Sequence, residues 1–154
     1  MRSSSALAFL SLLLCVPSAT AAPAPSKPVA AMLSVAVEEA NFRKGPSQRD
    51  DIVFTAVRLF PVKVVERTKG WVKVEDFEGD QGWVASHLLA EDPTVIITAT
   101  HANLRKEPST KSELVGTAEH AEVYRVVERK EQWLKLSADD EERGWIRDDL
   151  VWGD

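Results

Sequence analysis

Four of the five tryptophans in this 154-residue chain form two matched pairs, in which the second member follows the first by 62 positions. Trp71 pairs with Trp133, and Trp83 pairs with Trp145. A tryptophan offers a flat apolar face and one N–H donor, so it can stack on an extended peptide or fill the core of a small β-domain. Trp83 and Trp145 lie between a glycine and a β-branched residue, which favours the core. Trp71 and Trp133 are candidates for either role.

Basic residues lie at two repeated positions near these tryptophans. Lys73 and Lys135 each follow the first tryptophan of their repeat by two positions, and alternate residues of a strand share one face. Arg43 and Arg105 lie in segments whose turn residues predict a loop. An arginine guanidinium forks onto carboxylates, so both arginines are candidates for peptide binding. The alternative is structural, because a loop arginine also satisfies the backbone carbonyls of its own turn.

The other polar residues do not form a recognisable catalytic or metal site. His87, His101 and His120 align with other residue types in the opposite repeat, and none has the spacing of a metal-ligand pair. Cys15 is the only cysteine. The acidic run at 139–142 lacks the spacing of a calcium loop and predicts a solvated hairpin loop. We therefore expect no catalytic residue, no metal and no cofactor.

These residues belong to an internal duplication that runs without a gap at a spacing of 62 residues. Residues 33–90 form copy one and residues 94–152 form copy two. The linker at 91–93 reaches about 10 Å, so the two copies should lie in contact. The matching segments are Ala40–Ser47 with Ala102–Ser109, Val64–Arg67 with Val126–Arg129, Trp71–Val74 with Trp133–Leu136, and Gly82–Val84 with Gly144–Ile146.

Short apolar and β-branched runs alternate with turn residues in each copy, which predicts an all-β fold. We expect two tandem small β-barrels of about five short strands each, because closure protects sheet edges. The predicted strands of copy one are 33–37, 52–57, 62–66, 71–75 and 82–84, with a long loop at 41–49 and helical turns at 85–88 and 147–150. The predicted core includes Trp83, Val74 and Leu88 in copy one and Trp145, Leu136 and Leu150 in copy two.

The first 21 residues have the features of a secretory signal peptide. A basic residue precedes an apolar run shorter than the ~20 residues of a membrane-spanning helix, and a small-x-small motif ends at Ala21, the predicted cleavage site. Residues 22–32 are a predicted Pro/Ala-rich tether. Lipid attachment at Cys15 is the alternative, but Leu14 stands where a lipoprotein has a small residue. We expect an exported protein, periplasmic or extracellular, without membrane insertion after signal removal.

The charge of the chain argues against two classes of partner. The net charge is −5, and removal of residues 1–21 changes it to −6. Nucleic acids and anionic lipid surfaces both attract basic proteins. We therefore expect no nucleic-acid partner and no electrostatic docking on lipid.

The residues that carry a family resemblance are Asn41, Arg43, Gly45–Ser47, Val64–Glu66, Gly70–Val74, Gly82–Val84 and Leu88 in copy one, and Asn103, Arg105, Pro108, Ser109, Leu114–Gly116, Val126–Glu128, Trp133–Leu136, Gly144–Ile146 and Leu150 in copy two. Their pattern resembles the bacterial SH3-like (SH3b) domain family over nearly all of residues 33–152. Two departures stand out. Phe60-Pro61 in copy one and Glu122-Val123 in copy two replace the family's glycine before the third strand, and Phe54 stands in copy one where copy two has Gly116.

The resemblance implies a non-catalytic binding module of the bacterial envelope, whose ligands are peptidoglycan peptides or other extended peptides. The alternative is an adaptor that docks a specific envelope protein. An enzyme such as an amidase is not expected, because no nucleophile–base or metal constellation is visible. The candidate ligand-binding residues are Trp71, Trp133, Arg43, Arg105, Lys73 and Lys135.

Overall fold

The computed structural model describes residues 31–154; the predicted signal peptide, its cleavage site at Ala21, Cys15 and most of the tether lie outside the described residues. The described part is all-β, as predicted, and no helix in it is long and apolar enough to cross a membrane. Two 3₁₀ turns occur at Ser86–Leu88 and Asp148–Leu150. The strands are β1 (Met32–Val35), β2 (Glu39–Arg43), β3 (Ile52–Val57), β4 (Pro61–Thr68), β5 (Trp71–Glu75), β6 (Gln81–Ala85), β7 (Leu89–Ala90), β8 (Thr94–Ile97), β9 (His101–Arg105), β10 (Leu114–Glu119), β11 (Val123–Lys130), β12 (Trp133–Ala138), β13 (Glu141–Arg147) and β14 (Val151–Gly153).

The strands form two antiparallel sheets of seven strands with the same topology. The order is β3-β2-β6-β5-β4-β1-β7 in copy one and β10-β9-β13-β12-β11-β8-β14 in copy two. Each strand of the first sheet thus has its counterpart at the same place in the second. The duplication in the sequence is a duplication of one small fold.

Each sheet wraps around its own apolar core. All nine buried members of the first core recur 62 positions later in the second. The match follows from strand periodicity, because a period of two sends the same alternate residues inward in both copies. The nine are Leu33, Val35, Ala40, Phe42, Ala56, Val62, Val72, Val74 and Val84, and their counterparts include Leu104, Tyr124, Leu136 and Ile146.

The predicted number of strands was too low, because two elements of each copy were missed. The predicted loop at 41–49 begins too early, since residues 41–43 belong to β2 and pair with β3. Turn residues at 45–47 marked the loop, but the alternation of buried Ala40 and Phe42 defines a strand before it. The second missed strand, β7, has two residues, too few for a periodic pattern. Met32, assigned to the tether, lies in β1.

The residue just before Phe60-Pro61 in copy one, and just before Glu122-Val123 in copy two, has a left-handed backbone. Leu59 has φ 68° and its counterpart Ala121 has φ 67°, in the left-handed region that glycine adopts most easily. Both residues make the same turn, donating N–H bonds to Val35 and Ile97 respectively. The turn geometry is therefore retained with residues that are strained in it.

The two copies contact one another along β4, β8 and β14. Ile96 is 1% exposed although Val95 and Ile97, on the opposite face of β8, point into the core of copy two. A Cβ placed on Gly153 would lie 3.0 Å from Pro61 Cβ and 2.3 Å from the carbonyl oxygen of Thr94. Glycine is thus required where β14 crosses copy one, and the short linker brings the copies together as expected.

Candidate functional site

A shallow groove recurs at equivalent positions in the two copies. Its volume is about 260 Å³ in copy one and about 160 Å³ in copy two. Four lining positions hold the same residue type in both copies. These residues are Asn41, Arg43, Trp71 and Leu88 in groove one, and Asn103, Arg105, Trp133 and Leu150 in groove two.

Strand alternation places these side chains on the outer face of each barrel. In β2, Ala40 and Phe42 are buried, so Asn41 and Arg43 face outward beside them. In β5, burial of Val72 leaves Trp71 half-buried on the outside. The same pattern recurs in β9 and β12. The groove is therefore built from residues whose neighbours in sequence form the core.

The arginine of each groove also holds the adjacent loop. Arg43 Nη1 donates a hydrogen bond of 2.8 Å to the carbonyl oxygen of Asp50, and Arg105 Nη1 donates one of 2.8 Å to that of Ser112. This is the loop-bracing geometry that the sequence left as an alternative. A guanidinium has five N–H donors, so bracing leaves donors that can meet a ligand carboxylate.

Trp83 does not lie in the core, contrary to the sequence-based prediction, whereas Trp145 is buried as predicted, although on the other face of its strand. Val84 and Ile146 point inward, so the preceding tryptophans face outward. The glycine before each tryptophan faces inward instead, and a Cβ on Gly82 would lie only 2.9 Å from Phe42 Cβ. Trp83 is half-buried, whereas Trp145 is 6% exposed although it is no member of the core cluster.

These outward tryptophans join two basic residues in a row across the sheet. Trp83 pairs in register with Arg43 on one side and Lys73 on the other. In copy two the row is Arg105, Trp145 and Lys135. Directly opposed residues of neighbouring strands share a face, so each row lies on the outer surface next to the groove.

The six candidate ligand-binding residues thus divide into two sets. The arginines and the first tryptophans meet in the grooves, whereas Lys73 and Lys135 lie at the far end of the tryptophan row and line neither groove. Lys135 Nζ instead lies 2.7 Å from Glu142 Oε1. The lysines can contact only a ligand that extends beyond the groove along the tryptophan row.

Sequence reasoning missed part of the groove. Asn41 and Asn103 were noticed as repeated residues but were given no role, and their recurrence was the available signal. Leu88 and Leu150 were assigned to the core; they pack against it and also line the grooves. Val74 and Leu136 are fully buried core residues.

The grooves differ at the positions that surround the shared residues. Ala85 lies across from Trp71 in copy one, whereas Arg147 lies across from Trp133 in copy two. Arg147 Nη2 lies 2.9 Å from Asp149 Oδ2. The larger side chain at this position accounts for the smaller volume of groove two.

The histidines lie apart from one another on the surface. His101 Nδ1 lies 2.6 Å from Glu119 Oε2, and His120 Nδ1 lies 3.2 Å from the carbonyl oxygen of Thr98. Both contacts tie neighbouring segments of copy two together. Neither histidine meets a serine or a second histidine among the contacts of the described residues.

Two acidic clusters lie in turns. Asp76, Glu78 and Asp80 bring carboxylate oxygens within 4.8 Å of one another. Asp76 Oδ1 accepts the backbone N–H groups of Glu78 at 2.9 Å and Asp80 at 2.8 Å, so the cluster closes the turn between β5 and β6. In the acidic run at 139–142, Asp139 and Asp140 have positive φ and form the exposed hairpin turn between β12 and β13.

Similarity to other proteins is broad but distant. A Bacillus subtilis (strain 168) protein, YrvJ, named as an N-acetylmuramoyl-L-alanine amidase, is 24% identical over 128 residues. The match covers 76% of this chain and 24% of that protein, so the chain spans about a quarter of its length.

Two solved structures align with most of the chain. An NlpC/P60 family protein from Bacillus cereus ATCC 10987 aligns at a TM-score of 0.38 and 16% identity, covering 80% of this chain and 56% of that one. The CBD of endolysin LysPBC5 aligns at a TM-score of 0.34 and 16% identity, covering 83% and 97% respectively. TM-scores this low carry no functional argument.

The family assignment comes from the sequence pattern itself. The pattern of the bacterial SH3 domain matches residues 36–91 and, a second time, residues 98–153. These two ranges cover six of the seven strands of each sheet, β2–β7 and β9–β14, and include both grooves. The chain therefore belongs to the bacterial SH3 domain family and carries two copies of its domain.

Proposed function

We propose that this protein is a non-catalytic, exported binding module of the bacterial cell envelope, and that its two grooves bind peptidoglycan peptides or another extended peptide. The observation that carries the proposal is the recurrence of one groove in both copies. Asparagine, arginine, tryptophan and leucine line it at the same four positions, although many other surface positions differ.

The chemistry of the shared residues suits a peptide. Tryptophan supplies a flat apolar surface for stacking, asparagine supplies both donor and acceptor groups, and arginine attracts a carboxylate. Peptides of the bacterial cell wall carry carboxylates along a short extended backbone. Two linked grooves would also raise the apparent affinity for a polymer that repeats its peptides, because the second binding event is intramolecular.

Two further facts support a cell-wall ligand and a role without catalysis. The chain resembles part of a protein named as an N-acetylmuramoyl-L-alanine amidase, and the predicted signal peptide would export it to the compartment of such substrates. Within residues 31–154, the hydrogen bonds and ion pairs of His101, His120 and Asp76 join turns and strand ends. His87 and His101 also line the grooves, where neither aligns with a histidine in the other copy. We infer that any chemistry on the wall belongs to other proteins.

Sedimentation with purified peptidoglycan tests the proposal. We expect the folded protein to co-sediment with it at low and moderate salt, and the double variant Trp71→Ala/Trp133→Ala to lose at least tenfold in affinity. Each single variant should lose less than the double, because one groove remains. The matched control is Arg67→Ala/Arg129→Ala, which removes a repeated basic residue outside both grooves.

The proposal fails if the folded protein is retained no better than a denatured sample. It also fails if the tryptophan double variant binds as well as the control variant. Circular dichroism of each variant separates loss of binding from loss of fold.

A second candidate function, an adaptor for an envelope protein, is favoured by exposed apolar side chains on the edge strands. Ile52 and Val53 in β3 are 48% and 46% exposed, and their counterparts Leu114 and Val115 in β10 are 53% and 50% exposed. Crosslinking in cells followed by mass spectrometry distinguishes the two functions. One stoichiometric protein partner without a wall signal would favour the adaptor.

A further inference from the structure

The two barrels differ where the edge strand, β3 or β10, covers the core. Residues 31–154 contain four phenylalanines, and all of them belong to copy one. They are Phe42, Phe54, Phe60 and Phe77, and their counterparts in copy two are Leu104, Gly116, Glu122 and Asp139. Copy two therefore has no aromatic residue at any of these four positions.

In copy one a stacked pair of aromatic rings lies beneath the edge strand. The rings of Phe42 and Phe54 have centroids 4.5 Å apart and an interplanar angle of 11°. Phe60 and Phe77 form a second pair with centroids 6.1 Å apart, and the ring of Phe77 also lies 5.9 Å from that of His120 in copy two. Phe54 lies directly across from Phe42 in the register of β2 and β3, so its ring covers the core.

In copy two the equivalent space is open. Gly116 lies across from Leu104 in the register of β9 and β10, as Phe54 lies across from Phe42. A cavity of about 310 Å³ opens beside these two residues. Its other lining residues include Thr117, Glu122, Tyr124 and Arg143.

The backbone does not require a glycine at this position. A Cβ built on Gly116 would meet only Leu104 Cδ1, at 3.8 Å, which is ordinary van der Waals contact. The open space therefore results from the absence of a side chain, and copy one shows which side chain fits the same backbone. A benzyl group is that side chain.

The rim of the cavity is polar and belongs to the more acidic copy. Tyr124 Oη donates a hydrogen bond of 2.8 Å to Glu122 Oε2, and the same oxygen accepts the backbone N–H of Glu119 at 2.9 Å. Residues 94–154 carry a net charge of −4, against −1 for residues 33–90. A ligand with positive charge next to its apolar group is complementary to this surface.

The cavity also borders an unpaired sheet edge. Within the described residues, β10 pairs with β9 and ends the strand order of its sheet, so its outer edge presents free backbone N–H and C=O groups. Leu114 and Val115 on this strand are half-exposed. An extended segment can hydrogen-bond to such an edge while one of its side chains enters the adjacent cavity.

We propose that the cavity beside Gly116 receives a phenylalanine side chain from an extended, basic segment of a partner polypeptide. Phe54 of copy one is the internal counterpart of that side chain. The site is separate from the groove around Trp133, and it exists in copy two alone because copy one fills the space itself.

Titration of the purified protein with two peptides tests this proposal. The probes are acetyl-Lys-Phe-Lys-amide and acetyl-Lys-Ala-Lys-amide, followed by ¹H–¹⁵N spectra. We expect the phenylalanine peptide to shift the Gly116 and Thr117 signals saturably and the alanine peptide to shift them at least tenfold less. The indole signal of Trp133 should not move, which separates this site from the groove.

The variant Gly116→Phe should weaken binding of the phenylalanine peptide at least tenfold, because its own ring occupies the cavity. Gly116→Val, with a smaller side chain on the same backbone, serves if the first variant does not fold. The reciprocal variant Phe54→Gly should create a second site, reported by the Thr55 signal.

Three outcomes would overturn the proposal. One is the absence of saturable shifts with the phenylalanine peptide. Another is equal binding of both peptides, which would mean charge attraction alone. The third is undiminished binding to a folded Gly116 variant. Acetylphenylalanine amide, which lacks the flanking residues, is a further probe. If it bound as tightly as acetyl-Lys-Phe-Lys-amide, the claim that the partner is an extended polypeptide would be overturned, because the edge of β10 would then contribute nothing to binding. The peptide titration tests the cavity beside Gly116, whereas sedimentation with peptidoglycan tests the grooves around Trp71 and Trp133. Either proposal can therefore fail while the other stands.

Discussion

Copy one and copy two have the same strand order and the same core positions, yet they differ in how the interior is filled. Their registers also agree, except that the pairing of β12 with β13 shifts after Leu136, whereas the pairing of β5 with β6 does not. Copy one closes one end with stacked phenylalanines, whereas copy two has a cavity bordered by Tyr124 and Gly116. Strand periodicity decides which positions face inward, and these positions are the same in both copies. The size of the side chain at each inward position decides whether space remains, and these sizes differ between the copies.

The outer surface shows the opposite tendency. The groove keeps four residue types at four positions in both copies, and the braced arginine makes the same 2.8 Å hydrogen bond in each. The recurrence of these groove residues in two copies whose interiors differ is consistent with one binding role shared by both grooves. The different interiors also allow each copy a separate role at the end where they differ.

Truncation of the core residue that differs between the copies should have the largest effect. Phe42→Ala removes a fully buried ring stacked on Phe54 and should cost about 3–5 kcal/mol. Leu104→Ala should cost about 2 kcal/mol, because its side chain already borders an open cavity and loses fewer contacts. Denaturant unfolding measures both values. Equal costs would mean that the end of copy two is packed as tightly as that of copy one.

The tyrosine of copy two should titrate far above its usual range. Burial, and then the hydrogen bond and negative charge of Glu122, raise the pKa of Tyr124 from 10.0 to about 12. Because the folded-state pKa is the higher one, the stability from this phenol is present below pH 10 and is lost as the pH rises through 12. Copy one has Val62 at this position and lacks the effect.

Phenolate absorbance measures this pKa directly, since the chain has a single tyrosine. Glu122→Gln should lower the midpoint by removing the negative charge, and Tyr124→Phe should remove the signal. A midpoint near 10 in the folded protein would show that the ring is not shielded from water.

Loss of the bracing arginine should affect both copies alike. Arg43→Ala and Arg105→Ala each remove a part-buried charged donor to a loop carbonyl and should cost about 1–3 kcal/mol. Arg67→Ala, at an exposed site, should change stability by less than about 0.5 kcal/mol. Hydrogen exchange in the 44–51 and 106–113 loops locates the effect. Protection lost in one copy alone would contradict the equivalence of the grooves.

Glycine at the left-handed turn position of each copy should give the smallest change, a gain in stability. Ala121→Gly relieves a left-handed backbone at an exposed site and should stabilise by about 0.5–1 kcal/mol, after the entropy cost of glycine. Leu59→Gly should gain less, because Leu59 is half-buried and loses contacts. Thermal unfolding measures both variants. Destabilisation by Ala121→Gly would mean that the turn is not strained.

The sequence predicted the fold well where local pattern and global structure agree. The strand β3 was predicted at 52–57 and β5 at 71–75, as found, because alternating apolar residues specify both the strand and its buried face. The prediction failed at β2, because the turn residues after position 43 indicated a loop, whereas residues 41–43 form a strand that pairs with β3. The prediction also failed for Trp83, because a short strand does not reveal which of its faces lies inside.

The sequence alone determined that one unit occurs twice, in one register, with all-β structure and a net negative charge. A gapless 62-residue period and period-two apolar alternation are local properties, and they need no coordinates. The tertiary structure decided what lies between strands that are distant in sequence. It brought Arg43 and Trp71 into one groove, set Lys73 outside it, and left a cavity at Gly116 where copy one has a ring. Such sites depend on which side chains from separate strands meet across the sheet, and the register of strand pairing fixes that.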